Sequence, residues 1–308
     1  MITLKIRHTT TYCFNKLVRL QPHRLMLRPR ENRELLLISN EIVITPSAKI
    51  TWAQDVFGNA VATATFQTMT STLVIDSVAE LQLAAVAWPV FDIDVSAMSY
   101  PFKYSDAEWT DLGALSVPQI AGDSGKLKAW AQAYVRSNPT DTLSLLKDLS
   151  EGVSATIGYQ SREEEGTQTP SETLSRGWGS CRDIAVLFAE AVRSLGLGAR
   201  IVSGYLYKPD QNTVGASAAG ATHAWTEVYI PGAGWITFDP TNRSVGGFNL
   251  IPVAMVRDIR QAAPVSGSFI GTADDFTGMS VEVVVTSGCR MAVRNAPTAR
   301  AETSKRVR

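Results

Sequence analysis

Apolar and polar residues alternate along the first hundred residues of the chain. At the N-terminus, Ile2, Leu4 and Ile6 are separated by polar residues, the period of two that buries one face of a strand. Turn-forming residues such as Gly58 and Asn59 separate several later runs of this kind. These runs lie at 35–38, 41–44, 49–52, 61–66 and 73–83. Short strands at regular spacing predict an antiparallel β-sandwich domain over residues 1–100.

The apolar period lengthens to that of a helix after a proline-containing connector at about 87–122. Leu127, Ala131 and Tyr134 recur at helical spacing, and a second helix is predicted over about 141–154. A third helix is predicted over 182–195. Its apolar residues are Ile184, Leu187, Phe188, Ala191, Val192 and Leu195, and Gly196 supplies a stop.

Strand patterns return behind the third helix, at 199–207, 223–230, 235–239 and 281–285. Helices followed by strands joined through short turns predict an α+β domain, with helices packed on an antiparallel sheet. We assign this domain to residues 101–286. The last residues, 287–308, carry six basic side chains against one acidic and show no apolar period, so they are predicted to form a disordered tail.

The composition excludes several classes of function. A net charge of zero gives no overall field for nucleic acid or an anionic membrane, and no apolar stretch is long enough to span a bilayer. The three cysteines, Cys13, Cys181 and Cys289, are odd in number and widely spaced, which favours a reducing compartment. The N-terminus lacks the apolar run of a signal peptide. We therefore expect a cytoplasmic protein without a nucleic-acid or membrane partner.

Cys181 lies where a helix begins, directly after the sequence Gly-Trp-Gly-Ser. A free thiol has a pKa near 8.5, and the positive end of a helix or a nearby imidazolium lowers it. Gly177 and Gly179 would let the chain turn sharply and let a substrate backbone approach closely. Packing alone explains a cysteine at this position equally well unless a base lies beside it.

A base is available on the strand 223–230, which begins with His223. The next strand ends at Asp239, where Pro240 terminates pairing. If Tyr229 lies opposite Trp235, Asp239 falls on the face that carries His223, within reach of its side chain. A four-residue loop would reverse that parity, so a Cys-His-Asp relay requires a five-residue loop or a bulge.

Three segments closely resemble the bacterial transglutaminase-like family. They are TLSRGWGSCRDIAVLFAEAVRSLGLGARIVSGYL, THAWTEVYIPGAGWITFDPTN and MVRDIRQAAPVSGSFIG. The stretch IRHTTTYCFNKLVRLQPHRLMLRPR, with DVFGN at 55–59, resembles the β-rich domain that precedes the core in many members. The resemblance covers about residues 1–287 and implies a papain-like transglutaminase core. It implies Cys181 as nucleophile, His223 as general base and Asp239 as the group that orients the base.

The sequence departs from better-known branches of this superfamily at the oxyanion hole. Animal transglutaminases have Gln before the cysteine and Trp after it, where this chain has Ser180 and Arg182. Papain-type proteases place a Gln six residues before the cysteine, and here that position is Ser175. The backbone N–H of Cys181 is therefore one expected oxyanion donor, and the second stays unassigned.

Four further side chains enter the prediction in lesser roles. Tyr159 and Trp178 are candidates for lining the substrate cleft, although packing explains each of them as well. Asp183 is expected to serve the helix N-terminus. Glu227 is the alternative orienting group, since it shares a strand face with His223.

These residues predict a cysteine-dependent amide-bond enzyme that acts on a peptide or protein amide through a thioester, without a cofactor. Hydrolysis is favoured because it needs no second specific site, and transfer to an amine, as in a protein-glutamine transglutaminase, is the alternative. An inactive binding module of the same fold is a different class of answer. A metal site formed by the three residues has no supporting ligand spacing.

Overall fold

A computed structural model describes residues 1–120, 124–162, 166–208 and 221–287 of the protein. The N-terminal region is built from strands, as the alternating pattern predicts. These strands are β1 (Ile2–Leu20), β2 (His23–Leu25), β3 (Leu35–Thr45), β4 (Ala48–Gln54), β5 (Ala60–Phe66) and β6 (Thr70–Leu83). The predicted runs fall inside β1 and β3 to β6, but β1 extends well beyond its clear alternation at residues 2–6.

Helices and short strands alternate over the next part of the chain. They are β7 (Ser99–Tyr100), α1 (Asp106–Leu112), α2 (Ser124–Gln132), β8 (Thr140–Asp141), α3 (Thr142–Thr156), β9 (Gly158–Tyr159), α4 (Pro170–Arg176), β10 (Trp178–Gly179) and α5 (Cys181–Ser194). The three predicted helices correspond to α2, α3 and α5. The apolar pattern predicts neither α1 nor α4, because seven residues are too few to display two full helical turns.

The remaining elements are strands. They are β11 (Ala199–Leu206), β12 (Ala221–Ile230), β13 (Gly234–Asp239), β14 (Ser244–Val245), β15 (Leu250–Val256), β16 (Val265–Ser266), β17 (Phe269–Ile270) and β18 (Phe276–Ser287). The first five form one antiparallel sheet, in the order β14-β13-β12-β11-β15. Helix α5 packs on β12 and β11, where Thr226 Oγ1 donates a 2.9 Å hydrogen bond to Ala185 O. Helices on an antiparallel sheet give the predicted α+β class.

The N-terminal strands form two facing sheets. One has the order β17-β1-β6-β3 with β18 on β1, and the other has the order β16-β2-β5-β4. Apolar side chains from both sheets form the core between them; they include Phe14, Val18, Leu25, Leu73 and Ile75. The predicted β-sandwich is therefore present, but three of its strands come from the C-terminal end of the described chain.

Those three C-terminal strands pair with strands of the N-terminal region. Strand β16 pairs with β2, and β17 and β18 pair with β1, so residues 265–287 lie in the N-terminal sheets and outside the sheet of β11 to β15. The sequence pattern assigned them to the second domain, because strand periodicity does not identify a partner strand. The domain limits stay a prediction, and the proposed tail lies beyond the described residues except for Ser287.

The N-terminal sandwich packs against the sheet that carries β11 and β15. A shared apolar cluster joins them, formed by Leu4, Ile6, Leu35, Leu81, Leu83, Tyr205, Tyr207, Ile251, Val253, Val283 and Val285. Within the described residues, no helix is both long and apolar enough to cross a membrane.

Asn59 fixes the same contact through hydrogen bonds. Its side chain, 1% exposed, donates from Nδ2 to Met255 O at 2.8 Å, and its Oδ1 accepts from Met255 N at 2.9 Å. The amide thus pairs with the backbone of β15 as a neighbouring strand would. The Nδ2 group also donates to Asp55 Oδ2 at 2.9 Å, which holds the turn in shape.

Replacing Asn59 by Ala should lower the free energy of unfolding by about 3 kcal/mol, because both backbone groups of Met255 lose their partner in a buried place. Urea unfolding of the purified proteins measures the change. The matched control is Asn15→Ala, which removes an exposed amide that donates to Asp274 O, and should cost well under 1 kcal/mol. Equal losses in the two variants would contradict this role for Asn59.

Candidate active site

Cys181 is the first residue of α5 and is partly exposed. Its position at the helix N-terminus places the sulfur at the positive end of the helix dipole, near backbone N–H groups without helical partners. The second described cysteine, Cys13, is an exposed residue of β1 in the sandwich, and Cys289 lies outside the described residues.

A buried carboxylate holds the start of this helix. Asp183 has no exposed surface, and its Oδ2 accepts hydrogen bonds from the backbone N and the Oγ of Ser180, both at 2.8 Å. Its Oδ1 accepts from Gln168 N at 2.7 Å and from Arg162 Nη2 at 3.0 Å. The expected service of Asp183 to the helix N-terminus is confirmed, and its four donors fix the residues on both sides of Cys181.

The two glycines before Cys181 have separate structural reasons. Gly177 ends α4 in the left-handed conformation, at a φ of 70°, which a side chain would strain. At Gly179, a Cβ atom would lie 2.9 Å from the Cβ of Asp183. Close packing against the Asp183 side chain accounts for Gly179, and the expected approach of a substrate backbone stays a prediction.

The hairpin of β12 and β13 has the register that a relay requires. Tyr229 lies opposite Trp235, with five residues between them, and the ladder continues to Thr226 opposite Phe238. Asp239 therefore falls on the face that carries His223. His223 Nε2 lies 2.8 Å from Asp239 Oδ2, and both side chains are buried, at 5% and 1% exposure.

Cys181, at the start of α5, approaches the His223 ring from the side of the helix. The Cys181 side chain is a hydrogen-bond partner of the ring and one of the groups that raise the pKa of His223. Because Nε2 already contacts Asp239, we infer that the sulfur faces Nδ1. Burial disfavours a charge on the ring, but hydrogen bonds with Asp239 and Cys181 outweigh burial and raise the pKa of His223 to about 9.

Two side chains that the sequence pattern did not single out also contact this group. The ring of Trp225 stacks on the His223 ring, with the centroids 6.0 Å apart and the planes at 27°. Asn242 Nδ2 lies 3.1 Å from His223 Nε2 and donates to Asp239 Oδ2 at 2.7 Å. The available signals were weak: Trp225 is two residues from His223 on a strand, and Asn242 follows an Asp-Pro turn.

The proposed substrate-binding residues lie beside the cysteine loop. Strands β9 and β10 pair in parallel, which sets Tyr159 next to Gly179, two residues before Cys181. Tyr159 is 58% exposed, and its partial burial and the nearby Cys181 raise its pKa. Trp178 is partly exposed, with the Arg176 guanidinium 5.6 Å from its ring centroid. Their role in binding stays a prediction.

The side chains considered as alternative orienting groups or metal ligands contact other residues. Glu227, the alternative orienting group, accepts a 2.7 Å hydrogen bond from Arg200. The other two histidines lie in the sandwich, where His8 contacts Tyr205 and Thr10, and His23 contacts Gln21 O. In the described residues, no group of three or more His, Cys, Asp or Glu side chains is arranged to hold a metal ion.

Two family models match parts of this chain. Residues 120–240 match the family described as the transglutaminase-like superfamily, and residues 4–82 match the bacterial transglutaminase-like N-terminal region. The chain thus has a transglutaminase-like core and a bacterial transglutaminase-like N-terminal region. Cys181, His223 and Asp239 come after the N-terminal match, and all three fall inside the transglutaminase-like match.

Two mycobacterial proteins are similar over almost the whole transglutaminase-like chain. The uncharacterized protein ML0607 of Mycobacterium leprae is 25% identical over 301 residues, which cover 92% of this chain and 99% of that protein. The uncharacterized protein Rv2569c of Mycobacterium tuberculosis is 26% identical over 297 residues, covering 92% of this chain and 93% of that protein.

A solved structure has a similar fold. It is a candidate cysteine protease from Cytophaga hutchinsonii, with a TM-score of 0.71 and 21% sequence identity, covering 97% of this chain and 94% of that chain. This likeness, together with the family match, confirms the predicted fold class: a papain-like transglutaminase core behind a sheet-rich N-terminal region.

The raised pKa of His223 makes stability depend on pH. A histidine with an unfolded pKa near 6.5 and a folded pKa of about 9 stabilises the folded state fully below pH 6.5, and this contribution is lost as pH rises through 9. The loss should be on the order of 3 kcal/mol.

Urea unfolding between pH 6 and 10 measures this loss, with His223→Gln as the comparison. The variant should lack the alkaline loss that wild type shows. The pKa values of His8 and His23 are lowered by burial, so they titrate at lower pH in both proteins and cancel in the difference. Parallel curves for the two proteins above pH 6.5 would contradict the assignment.

Proposed function

We propose that the protein is a cysteine-dependent amide-bond enzyme, a peptidase or amidase that acts through a thioester on Cys181. The observation that supports this proposal is the chain of contacts from the Cys181 sulfur to the His223 ring and from that ring to the Asp239 carboxylate. The three groups come from a helix N-terminus and two neighbouring strands, and each has the chemistry that its step requires.

The resting site favours a charged pair. A pKa of about 9 keeps His223 protonated at neutral pH, and an imidazolium beside a cysteine favours the thiolate. Asp239 accepts from Nε2, which orients Nδ1 toward the sulfur and stabilises the imidazolium. In this proposal, His223 accepts the Cys181 proton before substrate binds, so the nucleophile is already formed.

Acylation then follows in two steps. The Cys181 thiolate attacks the carbonyl carbon of an amide, and the carbonyl oxygen becomes an oxyanion that the backbone N–H of Cys181 can bind. When the tetrahedral intermediate collapses, the C–N bond breaks, and His223 gives its proton from Nδ1 to the leaving amine. The products are a free amine, a thioester on Cys181 and a neutral His223.

A second nucleophile resolves the thioester. In hydrolysis, neutral His223 takes a proton from water, the hydroxide attacks the thioester carbonyl, and collapse releases a carboxylic acid and the Cys181 thiolate. With a primary amine the same steps form a new amide. We favour hydrolysis because water needs no binding site of its own, and the described residues supply no feature that selects an amine.

The expected substrate is a peptide or protein amide. Tyr159 and Trp178 flank the loop that carries Cys181 and offer aromatic surface beside the nucleophile, which supports a role in holding the acyl donor. No cofactor enters the proposed reaction. The cytoplasmic location and the lack of a nucleic-acid or membrane partner stay predictions from the sequence.

Intact-mass spectrometry tests the proposal. Incubation with libraries of peptide esters and glutamine-containing peptides should add one acyl group to the wild-type protein and none to Cys181→Ser. A labelled primary amine in the same tubes distinguishes the two outcomes: unlabelled acid products support hydrolysis, and labelled amide products support acyl transfer. A protein that forms no adduct with any donor would contradict the proposal.

Alkylation separates an enzyme from an inactive binding module of this fold. Iodoacetamide at pH 6 should modify Cys181 about tenfold faster than Cys13, although Cys13 is the more exposed, because Cys181, unlike Cys13, is beside the His223 imidazolium. His223→Ala should reduce the Cys181 rate and leave the Cys13 rate unchanged. Equal rates at both cysteines in wild type would favour the inactive module.

A further inference from the structure

Asn242 makes a set of contacts that neither the family match nor the three proposed catalytic groups explain. Its backbone N donates to Asp239 Oδ1 at 3.3 Å, and its side-chain Nδ2 donates to Asp239 Oδ2 at 2.7 Å. The same Nδ2 lies 3.1 Å from His223 Nε2. One residue thus engages both oxygens of the carboxylate and approaches the ring nitrogen that this carboxylate holds.

The orientation of the amide follows from its neighbours. With the amide turned over, Oδ1 would sit 2.7 Å from Asp239 Oδ2, and two acceptors at that distance repel each other. The N–H groups therefore face the carboxylate. Asp239 Oδ2 then accepts from two donors, His223 Nε2 at 2.8 Å and Asn242 Nδ2 at 2.7 Å, inside a site where Asp239 has no exposed surface.

We propose that Asn242 is a positioning residue of the Cys181-His223-Asp239 group, which fixes the Asp239 carboxylate against His223 and shares its negative charge. This inference rests on the proposed function, since it concerns the basicity of the proposed general base. A carboxylate that accepts a second hydrogen bond holds an imidazolium less tightly. Asn242 thereby limits how strongly His223 retains the proton that it must give to the leaving amine.

The turn that carries Asn242 is itself held in place. Pro240 O accepts a hydrogen bond from Ser154 Oγ of α3, which ties the turn to the helical layer. Arg243, the next residue, has a φ of 54°, the one positive value at a non-glycine residue in the described ranges. Such a conformation is costly and persists where the surroundings require it. Here it lets the chain leave the turn while Asn242 faces Asp239.

A graded set of substitutions distinguishes charge sharing from simple support. Asn242→Ala removes the donor, and Asn242→Asp keeps the shape but replaces the donor with a second acidic group. The pKa of His223 should rise by about half a unit or more in Asn242→Ala, and by at least as much in Asn242→Asp. A role in stability alone would lower the melting temperature without this ordered rise.

NMR titration of the histidine rings measures these values directly, because the protein has only three histidines. The groups whose charge acts on His223 are Asp239 from β13 and Cys181 from α5, and both are unchanged in the set. His8 and His23, in the sandwich, serve as internal references and should not move. Asn15→Ala, which removes an exposed amide far from the site, is the control variant.

The possible results separate this inference from the proposed function. If acyl adducts form on Cys181 and the His223 pKa is the same in all variants, the role of Asn242 is refuted and the enzyme assignment stands. If the His223 pKa rises as expected but no donor acylates wild type, the contact is correct and the enzyme assignment fails. A fall in the His223 pKa in Asn242→Ala would also overturn the inference.

Discussion

A buried carboxylate must find its partners inside the protein, and Asp239 is such a group in the candidate site. His223, Asn242 and the turn between Asp239 and Asn242 supply them, so the hairpin, the turn and the ring orientation are fixed together. The cationic form of His223 is stabilised by the same carboxylate. The reaction proposed for this site depends on keeping this buried pair intact.

A second buried carboxylate, Asp183, holds the part of the site that carries Cys181. Asp183 accepts hydrogen bonds from Ser180, Gln168 and Arg162. These bonds hold the segment before α4 and the residue before α5 against the first turn of α5. Cys181 lies inside that frame but does not contribute to it. The proposed nucleophile is thus positioned by its neighbours' hydrogen bonds.

The N-terminal sandwich is part of the same structural unit as the site. Its apolar cluster covers the sheet at β11 and β15, and Asn59 binds the backbone of β15. The His223 strand, β12, pairs with β11 directly. Looser packing of the sandwich would therefore act on β11, the direct neighbour of the strand that carries the proposed base. This arrangement gives a physical reason for the two regions to occur in one chain.

The sequence by itself determined the local structure and much of the site. Period-two and helical patterns located most strands and α2, α3 and α5. The register that sets Tyr229 opposite Trp235, and with it the face that Asp239 occupies, came from the structure. Only the tertiary structure decided which strands pair over long separations, such as β18 with β1, and which donors surround Asp183 and Asp239. Local periodicity indicates whether a residue is buried, but not which distant residue it contacts. Long-range strand pairs and the donors around a buried carboxylate are therefore set by the tertiary structure.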